Sequence, residues 1–244
     1  MIGRAKARRR QTPIPVVTGD KSLSRIAFIE LAPCIERQTI ASDVMLLIGV
    51  NRSPYTRRVA ITLRVYGVPY EQRDLSGFGN RADVRAANPL GRIPALVLDS
   101  SETLIDSAAI IDHLDETHGG DRPSTPRSGA DRRAVLKVAA IMMGACDKGL
   151  HAAYERNHHP PDKVHQPWID DCLAQMKTAL AAIDAIAEPG QYLLLGRLTQ
   201  ADITTFIAER LARGLGIDTD REMPRLRALT KRLIEQPAFA KTEP

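Results

Sequence analysis

The sequence lacks the features that would tie it to a membrane, a metal or a nucleic acid. Its 3 cysteines are widely spaced, so they encode neither a disulfide framework nor a zinc site, and they favour a reducing cytoplasm. No run approaches the ~18 consecutive apolar residues that a membrane span needs. Aromatic residues make up 4% of the chain, too few for the stacking platforms of single-stranded nucleic-acid binding. We therefore expect a cytoplasmic protein with no metal, membrane or nucleic-acid partner.

The positive charge is concentrated at the start of the chain. Of the net charge of +5, residues 1–43 contribute +4, so the remainder of the chain is nearly neutral. The same residues carry none of the motifs described below. We predict a disordered basic N-terminal extension over residues 1–43, with the first strand beginning at Met45.

The pattern that follows predicts a domain over residues 44–120 with strands and helices in the order βαβαββα. The expected strands are 45–50, 70–75, 95–98 and 102–105, and the expected helices are 54–66, 80–88 and 107–117. Pro, Gly and Ser then mark a linker over residues 121–129. Residues 130–244 predict an all-helical domain, with helices at 132–154, 162–187, 200–213 and 224–235.

The first candidate site is the strand-to-helix turn at residues 51–56, Asn-Arg-Ser-Pro-Tyr-Thr. Ser is a preferred N-cap and Pro a preferred first helical residue, so Ser53-Pro54 by itself says only that a helix begins. A helix start also leaves free N–H groups and a partial positive charge. Such a site suits an anion such as a thiolate.

Two further turns carry candidate residues. In residues 88–96 a proline stands just before a buried strand, and a cis Ile93-Pro94 bond would turn the Ile93 backbone toward a ligand. Cis is the minority state of such a bond, so the sequence does not establish it. At Asp106-Ser107 the residues either only cap the next helix or hold the two charges of an amino-acid head group.

Four segments, in order and spacing, resemble the glutathione transferase family. They are Ser-Pro-Tyr-Thr-Arg-Arg-Val from Ser53, Gly-Val-Pro-Tyr-Glu from Gly67, Asn-Pro-Leu-Gly-Arg-Ile-Pro-Ala-Leu from Asn88, and Asp-Ser-Ala-Ala-Ile from Asp106. The resemblance covers about residues 45–240. It implies an α/β thioredoxin-like domain (βαβαββα) followed by an all-α helical-bundle domain.

The resemblance implies a role for each matching residue. Ser53 matches the active-site serine that hydrogen-bonds the glutathione sulfur and favours its thiolate. The glutathione-binding residues would be Arg92 at the glycine carboxylate, Ile93 and Pro94 at the cysteinyl part, and Asp106 and Ser107 at the γ-glutamyl end. Asp106 departs from the family pattern, since Glu or Gln is commoner before the Ser.

In the second domain we expect the electrophile pocket on its first helix. Soft apolar surface there would come from Met142, Met143, Cys146 and Leu150, although Met and Leu at helical spacing also suit a plain core. Residues 199–202, Thr-Gln-Ala-Asp, form a capping box that resembles the family's folding element. The histidines between His151 and His165 lack metal-ligand spacing and indicate a solvated loop, and Arg57 and Arg58 indicate an exposed helix face.

The expected function is therefore that of a glutathione transferase, with glutathione as co-substrate, a hydrophobic electrophile as second substrate and a homodimer as assembly. The alternative is a glutathione-binding interaction or regulatory protein of the same fold without useful turnover. Thiol–disulfide chemistry ranks below both, because serine at position 53 cannot form a mixed disulfide. A zeta-type isomerase ranks low as well, because its Ser-Ser-Cys signature is absent.

Overall fold

The computed structural model describes residues 44–244. The strands are β1 (Met45–Ile48), β2 (Tyr70–Arg73), β3 (Ala95–Val97) and β4 (Thr103–Ile105). The helices of the first half are α1 (Pro54–Val65), α2 (Arg81–Ala87) and α3 (Ser107–Thr117). Those of the second half are α4 (Gly129–His158), α5 (Gln166–Asp184), α6 (Gln200–Gly214), α7 (Thr219–Glu222), α8 (Pro224–Ile234) and α9 (Pro237–Ala240), with a short 3₁₀ turn at Pro161–Lys163.

This order confirms the predicted fold class, a thioredoxin-like βαβαββα unit followed by helices. The bounds moved most at α4, which runs from Gly129 to His158 instead of 132–154, and at α5, which runs from Gln166 to Asp184 instead of 162–187. The prediction for residues 1–43 lies outside the described residues. No helix in the described part of the chain is both long and apolar enough to cross a membrane.

The sheet has the strand order β2-β1-β3-β4 and mixed direction. β1 pairs parallel with β2 and antiparallel with β3, and β3 pairs antiparallel with β4. In the register, Ile48 lies opposite Ala95, and Ala95 lies opposite Ile105. Because antiparallel partners lie about 5 Å apart, the turn after β1, the residue before β3 and the residue after β4 meet at one edge of the sheet.

Apolar side chains alternate along the strands, so each face of the sheet carries a set that packs against helices. One face carries Leu47 and Leu96, which pack with apolar residues of α1 and α3. The other face carries Leu46, Ile48 and Ala95, packed with Ala87 of α2. The chain between β1 and α1 is therefore fixed from both sides.

The helical domain packs around one hydrophobic core that is built from α4, α5, α6, α8 and α9 and that also includes Ile61 of α1. The fully buried side chains there include Met142, Met176 and Phe206. The capping box at the start of α6 is present: the Asp202 Oδ2 accepts from the Thr199 backbone N–H at 2.9 Å, and its Oδ1 accepts from the Leu193 N–H at 2.8 Å. These bonds anchor the preceding loop to the helix that supports α4.

A buried polar network connects the two domains near the segment between α3 and α4. The Asp115 carboxylate of α3 accepts from the backbone N–H groups of Ser124 and Thr125, at 2.9 and 3.0 Å. Gln200 of α6 donates to the Ser124 hydroxyl at 3.0 Å and to the Thr62 hydroxyl of α1 at 2.8 Å. Buried polar groups of this kind require partners, so the network fixes α1 against α6.

Candidate active site

A cleft of about 1310 Å³ lies between the turn that precedes α1 and one face of α4. Ser53, Arg92 and Ile93 line it from the thioredoxin-like domain. Leu150 and Tyr154 line it from α4. The structure thus brings several of the predicted site residues to one cavity between the domains.

Ser53 is half-buried at the N-terminus of α1, where its Oγ faces the unsatisfied N–H groups of the first turn. Its backbone is extended (φ −72°, ψ 124°), and its Oγ accepts from the Thr56 N–H at 3.4 Å, a long contact for a cap. No acceptor for the Ser53 hydroxyl proton lies among residues 44–244. The hydroxyl therefore has a proton to donate into the cleft, at the positive end of a helix.

Gly49 makes the tight turn before Ser53 possible. Its φ is +143°, and a Cβ added there would lie 2.4 Å from the Thr56 Oγ1. Thr56 is fully buried, and its hydroxyl has no hydrogen-bond partner in the described part of the protein. A side chain at position 49 would therefore collide with the Thr56 side chain, and the positive φ would strain it further.

Tyr55 bridges the cleft next to Ser53. Its hydroxyl donates to the Oδ1 of Asp147 on α4, and both residues line the cavity. The sequence reasoning did not select Asp147. Burial raises the pKa of the Asp147 carboxyl, while the charges of His151 and Lys148 oppose that rise.

The loop before β3 supplies the opposite side of the Ser53 turn. The Ile93–Pro94 peptide bond is cis, Ile93 lines the cleft, and Pro94 is buried behind it. The Asn88 side chain donates to the Arg92 carbonyl at 2.8 Å and holds the loop in place. The Arg92 side chain is exposed and borders the cavity.

Asp106 and Ser107 lie beside this loop but do not border the cleft itself. Because Ala95 pairs with Ile105, Asp106 stands across the ladder from Pro94. Asp106 has φ +71°, and its Oδ1 accepts from the Ala108 N–H at 2.8 Å, so it caps α3. Ser107 is buried, whereas Asp106 is exposed and has carboxylate capacity left for a ligand.

Of the predicted electrophile-pocket residues, only Leu150 lines the cleft. Met142 and Cys146 are fully buried, and Met143 packs against the same helical core, because that face of α4 is covered by α5 and α6. Burial raises the pKa of the Cys146 thiol to about 12, so it stays neutral. The face that does line the cleft carries Asp147, His151, Tyr154 and His158. Their spacing of four, three and four residues was the available signal, a polar and aromatic stripe on a helix.

Two of the four histidines lie on a helix rather than in the expected solvated loop, whereas His159 and His165 are exposed between α4 and α5. His151 and His158 lie on α4 and line the cleft. The His158 ring stacks on Phe78 from the β2–α2 loop, with centroids 4.5 Å apart, and Phe78 also contacts Tyr154 edge-on at 5.2 Å. This aromatic group closes one end of the cleft. No cluster of His, Cys, Asp or Glu suited to a metal occurs among residues 44–244.

Arg57 and Arg58 were expected on an exposed face, and both are buried. The Arg58 Nε donates to the Gln200 side chain at 2.8 Å, and burial lowers the Arg58 pKa to about 10. Arg57 pairs with Glu243, and its Nε donates to the Thr242 hydroxyl at 3.3 Å. The partners lie far away in sequence, so no local pattern could reveal this burial. The contacts hold Glu243 at the edge of the cleft.

Comparison with known proteins agrees with this arrangement. Residues 47–122 match the family described as Glutathione S-transferase, N-terminal domain. The maleylacetoacetate isomerase of Pseudomonas aeruginosa is 30% identical, over 82% of this chain and 96% of its own.

Two solved structures resemble the chain as a whole. A glutathione transferase family member from Pseudomonas fluorescens Pf-5, with bound glutathione, is 31% identical over 82% of this chain and 98% of its own, with a TM-score of 0.72. A glutathione S-transferase from Methylobacterium radiotolerans, in complex with glutathione sulfonate, is 26% identical over 82% and 94%, with a TM-score of 0.76.

In this fold a thioredoxin-like domain faces a helical domain across a cleft, and a helix N-terminus and a cis-proline loop lie at the edge of that cleft. This arrangement defines a class of two-domain thiol-binding proteins. Within that class, the sequence relatives identify the group. The chain belongs to the glutathione transferase family.

Proposed function

We propose that the chain is a glutathione transferase that binds glutathione in the cleft and activates its thiol as a thiolate at Ser53. The observation that carries this proposal is the Ser53 hydroxyl, whose proton has no acceptor among residues 44–244 and which stands at the N-terminus of α1 on the cleft wall. A hydrogen-bond donor and a helix N-terminus both stabilise an anion within their reach.

The size of the expected fall in the thiol pKa requires both the Ser53 hydroxyl and the N-terminus of α1. A free thiol with a pKa near 8.5 is only a few per cent ionised at neutral pH, whereas a fall of about two units makes it mostly thiolate. Two units correspond to about 2.7 kcal/mol, more than one neutral hydrogen bond supplies. The Ser53 hydroxyl and the start of α1 would therefore share the stabilisation.

The remaining parts of glutathione have candidate partners at the same edge of the sheet. The Ile93 backbone would pair with the cysteinyl unit, Arg92 would meet the glycine carboxylate, and Asp106 with Ser107 would hold the γ-glutamyl end. Asp106 supports this role because it is exposed at a helix start and lies across from Pro94. The electrophile would then lie against the α4 face that carries Leu150 and Tyr154.

The test is turnover of an aryl halide by the purified protein with glutathione. We expect conjugate formation that saturates with both substrates and a wild-type rate well above that of Ser53→Ala. Glutathione binding without any conjugation, across aryl halides, epoxides, peroxides and isothiocyanates, would favour the alternative, a glutathione-binding regulatory protein. Absence of glutathione binding would overturn both.

Two further properties belong to the proposal. We place the activity in a reducing compartment, the cytoplasm, because Cys146 and Cys172 are buried free thiols. We also expect a homodimer that pairs subunits across α3 and α4, as the family resemblance implies. Light scattering at micromolar concentration should give twice the chain mass, and a monomeric mass would contradict this assembly.

A further inference from the structure

The hydrogen bond between Tyr55 and Asp147 lies in the cleft and has no role in the thiol activation proposed for Ser53. The Tyr55 hydroxyl has one proton, and it is donated to the Asp147 Oδ1. The Tyr55 oxygen and the second carboxylate oxygen of Asp147 can then only accept hydrogen bonds. The Tyr55–Asp147 pair therefore offers acceptors to whatever enters the cleft beside it.

The negative charge of Asp147 is not neutralised by a direct partner. No lysine or arginine of residues 44–244 lies within ion-pair distance of it. The nearby Lys148 forms no ion pair with Asp147 within the described residues, and its Nζ lies 5.7 Å from the centroid of the Trp168 ring. His151 stacks on the same ring, with centroids 6.4 Å apart. A carboxylate left in this state attracts a hydrogen-bond donor or a cation.

Positive charge faces α4 from the thioredoxin-like wall of the cleft. Arg92 lines the cleft together with Tyr154, which is seven residues beyond Asp147 on α4. Seven helical residues span about 10 Å. Arg81 and Arg85 also line the cleft from α2, and no acid pairs with them in the described part of the chain. The cleft therefore carries an acid on α4 beside Tyr55 and arginines on the facing wall, where Arg52 and Asp74 also border it.

We propose that Asp147, oriented by Tyr55, sets the charge preference of the electrophile site: it favours an electrophile that carries a cationic or hydrogen-bond-donating substituent and disfavours one that carries a carboxylate. This inference rests on the proposed function, because it assumes that glutathione places its sulfur at Ser53. Asp147 is a specificity residue in this scheme and takes no part in forming the carbon–sulfur bond.

The test measures binding of conjugates, so that it does not depend on turnover. The probes are S-(nitrophenyl)glutathione conjugates that differ only in the substituent opposite the sulfur: hydrogen, aminomethyl or carboxylate. Dissociation constants are measured by calorimetry for the wild type and for Asp147→Asn, whose side-chain carbonyl still accepts from Tyr55. Asp131→Asn is the matched control, since Asp131 is exposed in the first turn of α4 and outside the cleft.

We expect Asp147→Asn to weaken the aminomethyl conjugate and to strengthen the carboxylate conjugate, so that the ratio of their dissociation constants changes at least about fivefold. The hydrogen conjugate and the Asp131→Asn control should change little. Equal changes for all three conjugates would show that the contact only ties the domains together, and would overturn the proposal.

Two other outcomes separate this inference from the proposed function. Suppose that glutathione and all three conjugates bind, and that the ratio of the dissociation constants of the aminomethyl and carboxylate conjugates is the same in the wild type and Asp147→Asn. Only the inference is then overturned. If neither glutathione nor any conjugate binds the wild type, the proposed function fails and this inference with it. Should Asp147→Asn not fold, Asp147→Ser removes the same charge and is measured in its place.

Discussion

The two walls of the cleft differ in how they are built. The wall from the thioredoxin-like domain consists of turns, and each turn places its residues through local chemistry: Ser53 by capping a helix and Ile93 by preceding a cis proline. The wall from the helical domain is one face of a long helix. Which face of α4 meets the cleft depends on what α5 and α6 cover on the other side.

This difference explains which side-chain positions could be read from sequence. A turn motif specifies both its conformation and the direction in which its residues point. A helix with apolar residues on more than one side does not specify which side is core. For α4 the methionines suited either a pocket or a plain core, and in the structure they fill the core while the stripe from Asp147 to His158 lines the cleft.

The largest expected effect tests the core side of α4. Met142→Ala should lower the free energy of unfolding by about 2–5 kcal/mol, because it removes a fully buried side chain from a packed core. The KM for the electrophile should change little. Urea unfolding and steady-state kinetics measure the two quantities.

Leu150→Ala is the comparison for that variant. Leu150 is half-buried and lines the cleft, so its loss should cost about 1 kcal/mol or less of unfolding free energy and raise the KM for the electrophile. If Met142→Ala raised that KM as much as Leu150→Ala, the division between a core face and a cleft face would be wrong.

A smaller effect is expected at Asp106, in the turn that precedes α3 beside the cleft. Asp106→Ala should weaken glutathione binding by roughly 1.5–3 kcal/mol, since a charge-assisted hydrogen bond to the ammonium is lost, with kcat much less affected. Calorimetry with glutathione gives the affinity, and the kinetics give the split between KM and kcat.

Asp106→Asn separates ligand binding from capping. Asn is a good N-cap and tolerates positive φ, so the α3 cap at Ala108 should persist while the charge is removed. We expect most of the loss in affinity to remain in this variant. Full affinity in Asp106→Asn would assign the effect of the alanine variant to the cap.

The smallest expected effect concerns Glu243, in the C-terminal segment that borders the cleft. Glu243 bridges Arg57 of α1 and Arg210 of α6, with its side chain 38% exposed. Glu243→Gln should therefore cost about 1 kcal/mol or less in the free energy of unfolding. Glu235→Gln, an exposed change at the end of α8, is the control. Equal thermal stability of the two variants would show that the bridge contributes nothing.

The order of elements and the turn residues could be predicted because each depends on neighbours in sequence. Ser53, Asp106 and Thr199 all begin helices as the capping pattern predicts. The burial of Arg57 and Arg58 could not be predicted, because their partners, Thr242 and Gln200, come from the other end of the chain. Asp147 was missed for a related reason, since its partner Tyr55 belongs to the other domain.

The central claim is that Ser53 and the start of α1 together stabilise a glutathione thiolate. The most direct measurement is the thiolate absorbance of the protein–glutathione complex as a function of pH, for the wild type and Ser53→Ala. We predict that the bound thiol titrates well below its free pKa of about 8.5 in the wild type and returns partway toward it in Ser53→Ala, with glutathione still bound. An unchanged titration in Ser53→Ala would contradict the account. It would leave Ser53 as an N-cap only and assign the stabilisation of the thiolate to the start of α1.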